Sequence, residues 1–270
     1  MSLLDRRLTR RGAGALLGAA MMLTGLAACG DETSADSGKK VTITHAQGSS
    51  EIPENPQKIV VLDFGALDTI NALGLADRVV GIPKGGTIPD SLKQFKDEKY
   101  ANVGGLKEPD IEAIHKLKPD LVIAGFRTAK SYPELAKHFP TIDITYDTTK
   151  TSLAEGVAES AAIIGKAVGK EDEAKKKAEE VSAAVKEAAE KMPKGSGMIL
   201  MTSAGKVTLH GPASRFGVIH TELGVKPAGP SVKEAAHGDP ISFETIQKSN
   251  PDMLFVIDRD AAIGLSLIHI

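Results

Sequence analysis

The sequence is poor in the residues that build disulfides and aromatic binding surfaces. It has one cysteine in 270 residues, Cys29, no tryptophan, and only 4% aromatic residues. A single cysteine excludes an internal disulfide and any Cys-x-x-Cys metal or redox site. The 41% hydrophobic content nevertheless suits one large or two small globular lobes.

Motifs that mark common enzyme classes are also missing. The chain contains no Gly-x-Ser-x-Gly nucleophile motif, no His-Glu-x-x-His pair and no phosphate-binding P-loop. Its formal net charge of −2 leaves no basic excess for nucleic acid. Five of its histidines show no metal-binding spacing: His45, His115, His138, His210 and His220. We therefore expect a protein that is not an enzyme, has no intrinsic cofactor and does not bind nucleic acid.

The N-terminal segment predicts export and lipid anchoring. Four arginines precede a run of small apolar residues, 13–28, which is too short to span a membrane comfortably and leads into Leu-Ala-Ala-Cys29. This ending resembles the bacterial lipoprotein cleavage site, so residues 1–28 are interpreted as a lipoprotein signal peptide and Cys29 as the lipidated residue. Residues 29–40 are polar and without periodicity, as in a flexible tether. An ordinary signal with a chance cysteine is the alternative, and the export route stays open.

One stretch of the sequence occurs twice. Ile111–Arg127 aligns without a gap with Phe243–Arg259, and the identical positions include a glutamate, a lysine, a Pro-Asp pair and a final arginine. Each copy predicts a short helix that stops at a proline, followed by a continuously apolar strand. Such strands are typical of a parallel sheet covered on both faces. Chance recurrence of a common unit is possible, but two similar lobes explain the match better.

The strand and helix patterns divide the chain into two α/β lobes. Strands alternate with helices over residues 41–149, which we interpret as the N-terminal lobe. Residues 150–192 predict two connecting helices, and the second, rich in alanine along one face, would form a long rigid connector. A coiled-coil helix is the weaker alternative. Residues 193–264 restart the strand pattern and predict a C-terminal lobe.

Arginine is scarce after the signal segment, and its positions are informative. Beyond residue 28 the chain uses 25 lysines but only Arg78, Arg127, Arg215 and Arg259. Arginine is required where a planar fork must grip an oxyanion with several donors. Arg127 and Arg259 fall at predicted strand ends, where ligands of parallel sheets sit, and Arg215 follows Ser214, a predicted helix N-cap. Structural ion pairs, for example of Arg259 with a neighbouring aspartate, are the alternative.

Four motifs carry a resemblance to a known family. Residues 58–75, 102–127, 211–220 and 250–264 resemble substrate-binding lipoproteins of ABC importers, of the helix-linked class that serves iron-siderophores and cobalamin. The last three motifs resemble the branch that binds ferric catecholate siderophores. The resemblance implies two Rossmann-like lobes joined by a long helix, a lipid-anchored monomer outside the cell membrane, and delivery of the ligand to a permease and its ATPase. Carriers of haem, cobalamin or hydroxamate siderophores are the alternatives within this class.

The resemblance also assigns roles to individual residues. In such relatives, arginines that match Arg127, Arg215 and Arg259 contact the catecholate oxygens. A loop histidine that matches His237 ligates iron when the siderophore supplies only four donors. Glutamates that match Glu112 and Glu244 dock onto the permease. Three arginines suit a ferric tris-catecholate, which carries about three negative charges.

The C-terminus departs from the family pattern. The chain runs only eleven residues beyond Arg259, whereas relatives continue to a motif with the tyrosine that partners the iron-binding histidine. Residues 265–270 match the translation of a sequencing adapter and are interpreted as a non-native tail. We therefore expect the C-terminal lobe to be incomplete, with an unpaired sheet edge. A chain of this kind is expected to dissolve poorly or to bind weakly.

Overall fold

The computed structural model describes residues 39–148, 150–233 and 237–262. The first part of this chain, the N lobe, contains seven strands and three α-helices: β1 Lys40–His45, β2 Gly48–Pro53, β3 Ile59–Val61, α1 Phe64–Ala72, β4 Val79–Ile82, β5 Ala101–Asn102, α2 Ile111–Leu117, β6 Leu121–Ala124, α3 Tyr132–His138 and β7 Thr141–Asp143. Short 3-10 helices cover Ala76–Arg78, Asp90–Lys96 and Ala129–Ser131. Strand β1 begins at Lys40, the last residue of the predicted tether.

The N lobe is built on a parallel sheet. Its strand order is β5-β4-β3-β6-β7, and β1 and β2 form a separate antiparallel hairpin. Every residue of β3, β6 and β7 is buried, as expected when both faces of a parallel sheet are covered. The strands point their carboxyl ends toward one edge, where Asp63 caps α1 by accepting hydrogen bonds from Gly65 and Ala66. The sequence predicted this alternation correctly.

Two long helices follow the N lobe: α4 Leu153–Val168 and α5 Glu171–Lys191. A capping box of Ser152 and Glu155 starts α4, and Gly169 ends it in the left-handed conformation. The two helices pack against each other through Ala161, Ala174 and Ala178. A methyl group on Gly165 would come within 2.6 Å of the Ala174 Cβ, so glycine permits this close approach. The apolar face predicted for α5 is fully buried only in its first half.

The C lobe contains five strands and three short α-helices: β8 Ser196–Ser203, β9 Lys206–His210, α6 Val218–Thr221, β10 Lys226–Pro227, β11 Asp239–Pro240, α7 Phe243–Ser249, β12 Met253–Asp258 and α8 Arg259–Ala262. Strand β8 is central in this sheet and pairs with three other strands. It pairs parallel with β10 and β12 and antiparallel with β9, which in turn pairs antiparallel with β11. The C-lobe sheet is therefore mixed, whereas the N-lobe sheet is parallel throughout.

The sequence repeat has a structural basis in both lobes. Asp110 and Ser242 cap α2 and α7, and both helices end at a residue in the left-handed conformation. The aspartate of each Pro-Asp pair then holds the start of a neighbouring strand. Asp120 accepts hydrogen bonds from the N–H groups of Gln57 and Lys58, just before β3, and Asp252 accepts them from the N–H and hydroxyl of Ser196, the first residue of β8. The shared aspartate therefore ties each copy into its sheet.

The second copy is less buried than the first, contrary to expectation. β6 is buried throughout, but β12 alternates, and Leu254 and Val256 are 52% and 60% exposed. Phe243 at the start of α7 is 79% exposed. The prediction that both repeat strands are covered on both faces is therefore wrong for β12. In the described part of the chain, no element covers the face that carries Leu254 and Val256.

The interpretation of Ser214 as a helix N-cap is also wrong. α6 begins only at Val218 and is four residues long, and its N-cap is Gly217. The buried Ser214 hydroxyl instead accepts a hydrogen bond from the N–H of Phe216 within a turn. Arg215 thus lies in a turn ahead of the helix rather than in its first turn.

Three further predictions lie outside the described residues. They are the signal peptide, the lipidation of Cys29 and the non-native tail at 265–270. Within residues 39–148, 150–233 and 237–262, no helix combines the length and apolarity that a bilayer crossing requires.

Candidate functional site

Arg127 lies at the carboxyl edge of the N-lobe sheet, as predicted. It follows β6 in a turn that Thr128 stabilises. The buried Thr128 hydroxyl accepts a hydrogen bond from the N–H of Gly125 and donates one to the carbonyl of Gly125, both at 3.0 Å. The N–H of Phe126 donates to the Thr145 hydroxyl at 2.6 Å, which ties this turn to the end of β7. These bonds fix the backbone and leave the Arg127 side chain exposed.

Arg127 lines a cavity and lies near the Asp63 carboxylate. This cavity has a volume of about 370 Å³, and its other lining residues include Phe64, Pro83, Gly85, Gly86 and Gly105. Burial raises the pKa of Asp63, and the N–H groups of Ala66 and Gly65 and the charge of Arg127 oppose that rise. The guanidinium thus helps to keep a poorly solvated carboxylate ionised at this edge.

Arg215 lines a second cavity, of about 310 Å³, to which both lobes contribute. Its guanidinium carbon lies 5.4 Å from the centre of the Phe216 ring, within the range of a cation–π contact. Tyr146 and Lys150 lie on the N-lobe side of the cavity, and Glu222 lies on the C-lobe side. Arg215 therefore lies at a cavity that both lobes line, although it does not lie in the first turn of a helix as predicted.

Arg259 occupies a strand end, as predicted, but is held by a neighbouring hydroxyl. It follows β12 directly, and its Nη1 donates to the Ser203 Oγ at 2.9 Å. Neither Arg127 nor Arg259 forms an ion pair with a carboxylate in the described part of the chain. The alternative of an Arg259 ion pair with Asp258 or Asp260 is therefore wrong.

The structure does not gather the three arginines at one cavity. Arg127 and Arg215 line two different cavities, and Arg259 lines neither of them. Their joint action on one anion stays a prediction.

His237 lies beside a buried histidine that sequence reasoning set aside. His210, at the end of β9, is only 1% exposed, and its Nε2 is 3.2 Å from the Thr208 Oγ1. Its ring meets that of Phe216 edge-on at 5.0 Å, and Gly238 packs directly against it. Burial lowers the pKa of His210, and the charges of Arg215 and His237 lower it further. The structure therefore brings His210, Arg215 and His237 into one neighbourhood.

Metal binding by His237 alone stays a prediction. The His237 residue is exposed in a turn before β11. Among the described residues, no group of three or more histidine, cysteine or acidic side chains could hold a metal ion. Iron could enter only as part of a ligand that supplies most of its donors. Among the described residues, the buried Nδ1 of His210 has no hydrogen-bond partner. The periodicity of the sequence does not indicate this burial, since it depends on the pairing of β11 with β9.

The two repeat glutamates lie on the protein surface. Glu112 and Glu244 are exposed in the first turns of α2 and α7, as predicted from the repeat. Glu244 pairs with Lys248 at 2.9 Å, whereas Glu112 forms no ion pair within the described ranges. Both carboxylates are accessible to a partner, and their role in docking stays a prediction.

Comparisons with known proteins agree with the fold. The petrobactin-binding protein YclQ of Bacillus subtilis is 43% identical over 249 residues, which cover 88% of this chain and 77% of that protein. Its crystal structure matches with a TM-score of 0.77 at 44% identity, covering 84% of this chain and 80% of that one.

Two other relatives extend the comparison. The catecholate-siderophore binding protein VctP of Vibrio cholerae matches with a TM-score of 0.74 at 36% identity over 82% of this chain and 79% of its own. The ferric-anguibactin-binding protein FatB of Vibrio anguillarum is 32% identical over 83% of this chain and 70% of its own.

A family model described as periplasmic binding protein matches residues 59–266, which include both copies of the repeat and all three candidate arginines. The structure supplies the two α/β lobes and the long helix that the resemblance implied. This chain belongs to the periplasmic binding protein family.

Proposed function

We propose that this chain captures a ferric siderophore of the catecholate type outside the cell membrane and delivers it to an ABC permease for iron uptake. The observation that carries the proposal is its 43% identity to a petrobactin-binding protein over 88% of the chain. Likeness to a catecholate-siderophore binding protein at 36% identity supports the ligand class. The chain acts as a carrier rather than an enzyme, and it needs no intrinsic cofactor.

Three arginines give the proposal its chemistry. Ferric iron prefers hard oxygen donors, and a ferric tris-catecholate carries about three negative charges. Arg127 and Arg259 follow strands β6 and β12 and are exposed without a carboxylate partner in the described ranges, and Arg215 lines a cavity between lobes. If the lobes close around the ligand, the three guanidinium groups can bind its anionic oxygens without coordinating the iron. His237 would fill an open iron position when the ligand supplies only four donors.

The remaining parts of the proposal concern delivery and location. Exposed Glu112 and Glu244 dock the two lobes onto basic residues of the permease, whose ATPase drives transport. Residues 1–28 direct export and are removed, Cys29 carries the lipid anchor, and residues 29–40 tether the lobes to the membrane surface. The protein acts as a monomer, with lobes at 41–149 and 193–264 and connecting helices at 150–192.

The proposal is tested by ligand preference. The purified chain is titrated by calorimetry with a ferric catecholate, a ferric hydroxamate and haem under the same conditions. We expect the ferric catecholate to bind at least tenfold more tightly than the other two, since three arginines favour a polyanion. Preference for the hydroxamate or for haem would overturn the catecholate assignment, and no binding of any of them would overturn the proposed function.

A further inference from the structure

Tyr146 stands at the N-lobe wall of the cavity that holds Arg215. It follows β7, at the same sheet edge as Arg127, and it lines the cavity of about 310 Å³ that Arg215 also lines. That volume lies at the lower end of the range for small-molecule sites. Tyr146 is half-buried, so one part of its ring is packed while another part faces the cavity.

Two contacts fix the direction of the Tyr146 ring. It meets the Phe126 ring edge-on, with centroids 5.1 Å apart and planes at 90°. On its other side it packs onto Gly156 of α4, where an added Cβ would come within 2.1 Å of the ring. Phe126 directly precedes Arg127, so one aromatic contact links Tyr146 to the turn that carries a candidate anion-binding arginine. The phenol is thus positioned by its neighbours on both sides.

The phenol has no partner of its own. No hydrogen bond joins the Tyr146 hydroxyl to any residue in the described part of the chain. The carboxylates at the same cavity are already engaged: Glu222 accepts from the N–H groups of Leu153 and Ala154, and Glu155 accepts from Ser152. A half-buried hydroxyl that is fixed in direction and unpaired is available to a ligand.

The protonation state of this phenol suits an anionic ligand. Burial raises the pKa of Tyr146, and the negative charges of Asp63, Glu222 and Glu159 raise it further. At neutral pH the group is therefore a neutral O–H donor and adds no negative charge to the cavity. An arginine and a fixed hydroxyl donor that line one cavity can bind the same oxyanion.

We propose that Tyr146 is a further ligand-binding residue, whose hydroxyl donates a hydrogen bond to an anionic oxygen of the ligand held by Arg215. The proposal rests on the proposed function and adds to it a contact from the N lobe. The role of Tyr146 differs from that of the arginines, because a neutral hydroxyl does not neutralise charge. It donates one hydrogen bond in a fixed direction and therefore favours a ligand with an anionic oxygen at that position.

The test compares Tyr146→Phe with the unsubstituted chain in calorimetric titration with a ferric tris-catecholate. Phenylalanine keeps the ring packing on Phe126 and Gly156 and removes only the hydroxyl, so the fold is retained, which circular dichroism verifies. We expect an affinity about tenfold lower. The matched control is Tyr132→Phe, because the Tyr132 hydroxyl bonds Ser50 at 3.1 Å and lines no part of this cavity.

A second variant moves the hydroxyl without removing it. Gly156→Ala would push the Tyr146 ring away from α4, and we expect it to weaken binding as well. Lys166→Ala is its control, since Lys166 is an exposed residue of the same helix and lines neither the Arg127 cavity nor the Arg215 cavity. If the unsubstituted chain binds the ferric catecholate and Tyr146→Phe binds it equally well, the role of Tyr146 is overturned while the proposed function stands. If the unsubstituted chain does not bind it, both fail.

Discussion

Glu222 in the C lobe accepts hydrogen bonds from the backbone N–H groups at the start of α4, at 2.7 Å from Leu153 and 3.3 Å from Ala154. Free N–H groups at a helix N-terminus favour a negative charge, and Glu222 supplies it from 68 residues farther along the chain. The contact joins the C lobe directly to the helix that packs on the N lobe.

Loss of this contact is expected to lower stability. Replacing Glu222 with alanine leaves two N–H groups of α4 without their acceptor, and we expect the free energy of unfolding to fall by about 1 kcal/mol. Urea denaturation followed by circular dichroism measures the change. The control is Glu179→Ala on the exposed face of α5, which should have little effect. Equal stability of the two variants would show that the contact is energetically unimportant.

Arginine-to-lysine variants separate the effect of the planar guanidinium donors from the effect of the positive charge. Arg127→Lys, Arg215→Lys and Arg259→Lys each keep a positive charge but lose the planar donor set, and we expect each to weaken ferric catecholate binding about tenfold. Calorimetry provides the dissociation constants.

Arg78→Lys is the matched control for these variants. Arg78 donates to the Asn55 side chain at 2.7 Å and lines neither the Arg127 cavity nor the Arg215 cavity. Its variant should bind as the unsubstituted chain does. Unchanged affinity in all three test variants would show that the candidate arginines have only structural roles.

Two buried histidines predict loss of stability in mild acid. Burial lowers the pKa of His45 and of His210, and for His45 the nearby Asp143 only partly offsets this effect. The unfolded chain therefore binds protons more readily as pH falls below about 6.5, and stability decreases through that range. We expect the melting temperature to fall between pH 7.5 and pH 5.5.

The histidine contribution is measured with a double variant. His45→Gln combined with His210→Gln removes both groups, so the melting temperature should depend less steeply on pH even if its absolute value is lower. Each single variant should remove part of the slope. A double variant with the original slope would show that other groups cause the pH dependence.

The uncovered face of β12 predicts self-association. Leu254 and Val256 project from one face of the strand and are more than half exposed, and a contiguous apolar surface of this kind promotes association. We expect Leu254→Lys with Val256→Lys to reduce concentration-dependent association in sedimentation velocity experiments. Ala183→Lys with Ala188→Lys, at two exposed positions of α5, adds the same charge and should change little. Equal association of both double variants would contradict a role for this face.

The sequence predicted the elements that depend on local patterns. The short helix α2 and the buried strand β6 follow from the repeat, in which a proline separates a helix from an apolar run. Helices α4 and α5 follow the two connecting helices predicted over residues 150–192. The two-lobe fold followed from the repeat and the resemblance. Arg127 and Arg259 were placed correctly because each follows its strand within a few residues.

The parts that sequence reasoning missed depend on distant contacts. Ser214 resembles an N-cap, but its hydroxyl bonds within a turn, and α6 starts later. His210 is buried because Gly238 and Phe216 pack against it, and no spacing in the sequence indicates that neighbourhood. Tyr146 was overlooked since its position depends on Gly156 and on the opposite lobe.

The pairing of β12 with β8 also bears on the order in which the lobes form during synthesis. The N-lobe sheet has all of its strands once Asp143 has left the ribosome, whereas β8 must wait for β12, which begins at Met253. Because domains fold as units while the chain is made, the N lobe can be complete while the C-lobe sheet holds only β8 to β11. During that interval the edge of β8 that later pairs with β12 is open, and β12 is the segment that closes it.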